Sequence, residues 1–310
     1  MYIYFCENIY LILVILMKMR IVVKFGGTSV SSFDNWKHIS NIVRHHMVSH
    51  NIVIVISALT GVTDKLVSIS SPNTSFAIKQ KLIDEIYEQH RKLAYDCGID
   101  VPEPVRIGCD DVVGLWQNNT DYYEPIIAAN ICAYGELLST RLGIAILNKL
   151  EIPCKLVDTR DIIKVEYDIT KQLYSNFLDA DINHHTLNDV KFDNDIVLAP
   201  GFICSKKYNG EYKTCLLGRG GSDTCGSLFA YITNAKFYEI YTDVNGIYDS
   251  DPNKNKHSKL IEKISYDEAY DMALNGAKVI HSKCIPPLKH KRITCIIKNV
   301  CECIENTIIS

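Results

Sequence analysis

The sequence predicts an α/β protein, a three-layer α/β/α sandwich on a mainly parallel central sheet, divided into two lobes. Three observations carry this. Short runs rich in Val, Ile and aromatic residues at 21–25, 52–56, 154–157, 196–199, 237–242 and 293–297 are bounded by Gly, Ser, Asn or Pro and read as buried strands. Between them, 33–48, 76–95, 122–150, 225–233 and 266–274 place apolar residues every three or four positions and read as helices. The 310 residues are 47% hydrophobic and 22% charged, enough for a large core and incompatible with disorder or a collagen-like repeat. Strands alternating with helices give a parallel sheet covered on both faces, with ligands gathering at the strand carboxyl ends.

Taken in order, 1–16 is an N-terminal extension or a misassigned start. Its apolar run at 9–17 is shorter than the roughly 18–20 residues a bilayer span needs. Glu7 precedes that run and Lys18 and Arg20 follow it, the reverse of an export signal, so neither membrane nor export is expected. Residues 17–195 form the first lobe and 196–300 the second, with 179–195 as a surface connection and 301–310 as a tail. Asn209-Gly210 between two β-like runs in 202–217 predicts a hairpin.

Lys plus Arg number 33 against 36 Asp plus Glu, a formal charge of −3, so nothing favours nucleic acid. Twelve cysteines, mostly standing singly in so long a chain, point to reduced cytoplasmic thiols rather than a disulfide framework. No metal site is expected. Cys301 and Cys303 lack a second ligand pair, and His45-His46 and His184-His185 lack a carboxylate or thiol at metal spacing and read as surface residues.

The chemistry concentrates where glycines follow strands. In 24–30, Gly26 and Gly27 let backbone N–H groups approach an anion, and Lys24 places a cation beside it. In 218–223, three glycines surround Arg219 and Ser222 ahead of a helix, which suits an oxyanion nest or a helix cap. Arg219 can hold a carboxylate, and Asp223 suits orienting a lysine or a metal-bound water. Along 241–252 a strand runs into a polar turn where Tyr248, Thr242 and Asp243 can grip a nucleoside. Lys278, beside Val279, is a second phosphate-side cation, and Gly276 ends a helix. Ser57, Ala58 and Thr63 follow the second strand. Glu136, in isolation a solvated glutamate, can bind an ammonium group together with Thr63. Neither Gly-rich turn is a Walker loop or a GxGxxG.

Seven segments in order, KFGGTSV, SALTGVT, YGELLS, PGF, GRGGSD, YTDVNGIYDSDP and GAKVIH, closely resemble the aspartate kinases of the amino-acid-kinase family over about 20–300. The resemblance implies the carbamate-kinase-like fold and transfer of the γ-phosphoryl group of ATP, with Mg²⁺, to the side chain of L-aspartate, the entry to lysine, threonine and methionine synthesis. It implies that Lys24 and Asp223 are catalytic. Ser57, Ala58, Thr63, Glu136, Arg219, Gly220, Gly221 and Ser222 then hold aspartate. Lys24, Gly26, Gly27, Thr242, Asp243, Tyr248, Asn253, Lys278 and Val279 face ATP. A glutamate- or acetylglutamate-type kinase of the family and a non-catalytic sensor are the rival readings, and a homo-oligomer is compatible with either.

Three positions depart from the family. Tyr134 replaces the usual histidine before Gly-Glu, Asn253 the arginine after Asp-Pro, and Ser282 the proline after His281. Family members commonly continue into paired regulatory modules, whereas ten residues follow Val300, so no inhibition by lysine or threonine through such modules is expected.

Overall fold

The computed structural model describes residues 18–118, 125–250, 255–276, 279–301 and 305–310. Its strands are β1 (Met19–Phe25), β2 (His50–Ile56), β3 (Lys155–Leu156), β4 (Lys164–Glu166), β5 (Ile196–Pro200), β6 (Ile203–Tyr208), β7 (Glu211–Leu216), β8 (Phe237–Thr242), β9 (Lys263–Ile264), β10 (Thr294–Asn299) and β11 (Asn306–Ile309). The main helices are α1 (Phe33–Met47), α2 (Val62–Ser70), α3 (Phe76–Asp96), α4 (Glu103–Gln117), α5 (Pro125–Lys149), α6 (Gly221–Ile232), α7 (Tyr266–Leu274) and α8 (Ile285–Lys291).

β1 is central because nearly all of it is apolar: Ile21, Val22, Val23 and Phe25 are fully buried, as a strand covered on both faces must be. The eight-stranded sheet runs β3-β5-β2-β1-β8-β10-β11-β9. Its strands from β3 to β10 are parallel, and β11 reverses direction against β10. From β1 the chain goes first to β2 on one side and later to β8 on the other. The carboxyl end of β1 is thus a topological switch point, where open α/β sheets bind ligands.

Successive residues of β8 show the layering. Tyr238 packs on α6, where a Cβ on Gly226 would lie 2.3 Å from its hydroxyl, while Glu239 points to the opposite face and meets His46 of α1 at 2.8 Å. α5 shares the α1 face, with Gly143 pressed against the Trp36 ring. The expected hairpin is present as β6 and β7, closed by Asn209 (φ 50°) and Gly210 (φ 84°), and with β4 it makes a second, three-stranded sheet. Gly276 follows α7 at φ 97°, as a helix-ending glycine should.

Some readings need correction. His46 is not a surface residue: it is 8% exposed and paired with the buried Glu239. The expected tail contains β11, whose Thr307 and Ile309 are fully buried, because alternating small and apolar residues fill a position beside β10. α2 and α4 were not anticipated. Both keep a helical spacing of buried residues, Val62, Leu66 and Ile69 in α2 and Val105, Cys109, Val112 and Trp116 in α4, which the sequence reading passed over.

Candidate active site

Four carboxyl-terminal strand ends and two helix starts enclose a cleft of about 560 Å³. Its walls come from Lys24 and 26–28 at the end of β1, 57–61, Thr63 and Asp64 after β2, Phe202 after β5, 218–223 at the start of α6, Thr242 and Asp243 at the end of β8, and Glu136 from α5.

Lys24 ends β1 with 8% exposure, and its ammonium pairs with Asp223 of α6. The backbone carbonyl of Asp223 also accepts the Tyr238 hydroxyl at 3.0 Å, which fixes the first turn of α6 against β8. Gly26 does not offer its N–H to a ligand as expected, because that group donates to the Tyr241 carbonyl at 3.3 Å. Gly27 and Thr28, which line the cleft, open the single helical turn Gly27–Val30, whose first N–H groups have no partner within the turn. Gly27 is required by proximity, since a Cβ would fall 2.9 Å from the Ala58 carbonyl. Ser31 locks the two loops together, donating to the Gly27 carbonyl at 2.6 Å and accepting the Thr60 N–H at 2.9 Å.

Glu136 is 3% exposed, contrary to its reading as a solvated side chain. Gly135 lets α5 approach until a Cβ would sit 3.0 Å from that of Ala58, and one Glu136 oxygen accepts the Ala58 N–H at 3.1 Å. The other oxygen, Oε2, is buried with no partner among the described residues. Burial raises the Glu136 carboxyl to about 8, against the opposing pull of the Ala58 N–H, the Ser222 hydroxyl and Lys24. The free site therefore holds an uncharged carboxylic acid at neutral pH.

Gly220 caps α6 at φ 65°, and a Cβ there would strike that of His281 at 2.5 Å. This ties the GAKVIH segment to the GRGGSD loop. Arg219 is exposed at the rim and makes no ion pair among the described residues.

Ser57, Ala58, Thr63, Glu136, Arg219, Gly220, Gly221 and Ser222 all line this one cleft with Lys24, Gly26, Gly27, Asp223, Thr242 and Asp243. Tyr248 and Val279 do not: Tyr248 bridges to Leu260, and Val279 packs against the core. Asn253 and Lys278 lie outside the described residues. Sequence reasoning passed over Thr60, Asp64 and Phe202. Phe202 sits at φ 64° in a tight turn closed by the Ile203 N–H on the Gly201 carbonyl at 2.7 Å, and its ring covers Gly221. Such a conformation costs about 1–3 kcal/mol in a non-glycine residue. The Pro-Gly-Phe run was its only signal.

A switch-point cleft with two helix starts, a buried lysine–aspartate pair and a rim arginine has the donors and cations that suit small anionic ligands. Residues 19–299 match the model of the amino acid kinase family. The lysine-sensitive aspartokinase 3 of Escherichia coli is 29% identical over 285 residues, covering 86% of this chain and 58% of that protein. The crystal structure of E. coli aspartokinase III in complex with aspartate and ADP superposes with a TM-score of 0.82 at 26% identity, covering 93% of this chain and 64% of the other. A carbamate kinase from Giardia lamblia shares the fold alone, at a TM-score of 0.52 and 13% identity, with 94% and 98% of the two chains covered. The chain spans between 30% and 60% of the length of the curated relatives it matches. The chain belongs to the amino acid kinase family. Among the described residues no helix is long and apolar enough to cross a membrane.

Proposed function

We propose that this chain is an aspartate kinase, transferring the γ-phosphoryl group of ATP to the side-chain carboxylate of L-aspartate to give 4-phospho-L-aspartate and ADP. The observation that carries the reading is a single cleft lined by Lys24, Asp223, Glu136 and Arg219. An amino acid with two carboxylates and one ammonium finds a partner for each kind of charge there. Arg219 suits a carboxylate, the unpartnered Glu136 oxygen suits the ammonium, and Lys24 suits the phosphates. Aspartokinase relatives and the aspartate- and ADP-bound neighbour support the same choice.

The attacking side-chain carboxylate, with a pKa near 4, is already ionised at neutral pH and needs no general base. The protein's work is to bring two anions together. Lys24, exchanging Asp223 for a phosphate oxygen, offsets the charge of the transferring group, and the N–H groups opening α6 and the 27–30 turn face the same space. Thr242 and Asp243, at the end of β8, are the described residues placed to meet the nucleotide. Asp223 and Asp243 supply the oxygen ligands that Mg²⁺ prefers, and the ion would offset triphosphate charge when bound. The proposed site also includes Tyr248, Asn253, Lys278 and Val279 on the nucleotide side. The proposal places the lobe that holds the amino acid in 17–195 and the ATP lobe in 196–300, in a cytoplasmic enzyme that feeds lysine, threonine and methionine synthesis.

The test is an ATP- and Mg²⁺-dependent assay trapping the acyl phosphate with hydroxylamine, run with aspartate, glutamate and acetylglutamate. Aspartate hydroxamate as the dominant product is expected. Another hydroxamate in its place would move the assignment within the family, and ATP-dependent product from none of the three would remove it.

A further inference from the structure

The pair His184-His185, read from sequence as surface residues, gains a third histidine in the fold. α8 brings His290 to them, and the potential ligand nitrogens of the three side chains all lie within 4.8 Å of one another. The ring centroids are 4.2 Å apart for His184 and His185, 4.4 Å for His185 and His290, and 5.6 Å for His184 and His290. Nε2 of His184 is buried and has no hydrogen-bond partner among the described residues, an arrangement that leaves a lone pair or an N–H unsatisfied.

The frame around the cluster is already tied. His184 and His185 occupy the short turn His184–Thr186, whose start is capped by the Asn183 side chain accepting the His185 N–H at 3.2 Å. On one side Lys283 pairs with Asp179 at 2.7 Å and Asp181 at 3.3 Å. On the other, Lys291 pairs with Asp189 at 2.7 Å. The histidines thus sit between two clamps joining 179–189 to 283–291. The Tyr231 ring backs His184 at 5.1 Å and His290 at 5.7 Å. Lys291, next to His290 in the chain, has its ammonium taken up by Asp189, Asn234 and the Tyr231 carbonyl.

We propose that His184, His185 and His290 form a three-histidine site for a divalent transition metal of the Zn²⁺ class, clasping the 179–189 segment to α8. A tetrahedral ion with metal–nitrogen bonds near 2.0–2.1 Å needs ligand atoms roughly 3.4 Å apart, a closing movement within reach of side-chain rotation where two of the three rings are exposed. Three protein ligands leave the fourth position to water. Imidazole selects Zn²⁺, Ni²⁺, Co²⁺ or Cu²⁺, whereas Mg²⁺ prefers oxygen, so the site is distinct from any nucleotide-bound Mg²⁺. It lies behind the substrate loop, because Asp179 of the clasped segment fills the space where Gly218 would carry a Cβ.

The experiment uses untagged, chelator-treated protein titrated with Co²⁺, read by visible absorption, followed by displacement with Zn²⁺. One equivalent bound with Kd below about 10 µM and the intense bands of a four-coordinate ion are expected, with a rise in melting temperature that Mg²⁺ does not reproduce. His290→Gln, at an exposed position, should weaken binding by more than the roughly 10–100-fold that losing an outer-shell partner costs. The double variant Cys301→Ser, Cys303→Ser should bind as wild type does. Absence of binding to wild-type protein, unchanged binding in His290→Gln, or loss of binding in the cysteine variant would each overturn the proposal.

Discussion

Glu136→Gln tests the electrostatics of the cleft without any assumption about substrate. The folded carboxyl is raised to about 8 from an ordinary value of 4.5 by burial, so between those pH values the folded state holds a proton that the unfolded chain releases. Its contribution to stability is complete below pH 4.5 and is lost as pH rises through 8. Each unit in that window costs about 1.4 kcal/mol, so wild type should lose on the order of 4 kcal/mol between pH 5 and pH 8 relative to Glu136→Gln. Glutamine keeps an oxygen for the Ala58 N–H and carries no charge, so the variant lacks this dependence. The assay is urea denaturation of both proteins at pH 5, 6.5 and 8, comparing midpoints at equal m. A stability difference flat to within about 0.5 kcal/mol across that range would refute the reasoning, since it would mean the carboxyl ionises in the folded state as it does in water.

Lys24→Met should lower kcat by about 10³-fold or more and cost about 3 kcal/mol of stability by stranding Asp223 in the cleft; adding Asp223→Asn should restore stability and not activity, read by steady-state kinetics and melting. Glu239 behaves oppositely to Glu136. Burial raises it, but His46 and Lys298 outweigh burial and hold it at about 2, so its contribution is present above pH 4.5 and lost as pH falls through 2, and Glu239→Gln should flatten the acid limb of the stability profile. Gly220→Ala should destabilise by about 1–3 kcal/mol through its positive φ, and His281→Ala, which removes the side chain beyond the nearest contact, should recover little of that in denaturation midpoints. On the proposed function, aspartate binding at pH 7 should release close to one proton as its ammonium ionises Glu136, measured calorimetrically in buffers of different ionisation enthalpy, and Glu136→Gln should release none.

What the sequence made legible follows from how locally each feature is encoded. β1, β2, β5, β8 and β10 declare themselves as short runs rich in Val, Ile and aromatic residues, and Asn209-Gly210 declares its hairpin because only a few residue types accept that backbone. The glycines of the cleft were also legible, although not the reason for each. Gly27 and Gly135 serve close approach to Ala58, a fact held in tertiary packing that no local pattern carries. Burial of Glu136 and His46 was hidden for the same reason, since a charged residue on a helix reads as solvated until the facing element is known. β11 is four residues long, and a tail and an edge strand look alike at that length. The third histidine at 290 stands more than a hundred residues from the pair it joins, beyond any spacing rule.

The charge arrangement explains how a chain of net charge −3 can receive anions. In the free cleft Lys24 is neutralised by Asp223 and Glu136 is held uncharged, so neither bears an unpaired charge in a space that solvates charge poorly. Among the described residues Arg219, at the rim, is an exposed cation without an ion pair, and an unpaired charge costs least where water reaches it. On the proposed reading a carboxylate meets Arg219 first. The ammonium on the same molecule then favours the ionised form of Glu136, whose proton leaves to solvent, and the triphosphate competes with Asp223 for Lys24. Each inner charge is exposed only when its counter-charge arrives, so the desolvation of the buried groups is tied to ligand binding instead of burdening the fold. A cleft with Glu136 permanently ionised would repel the dicarboxylate it has to admit, and one with Lys24 unpaired would carry that cost through every turnover.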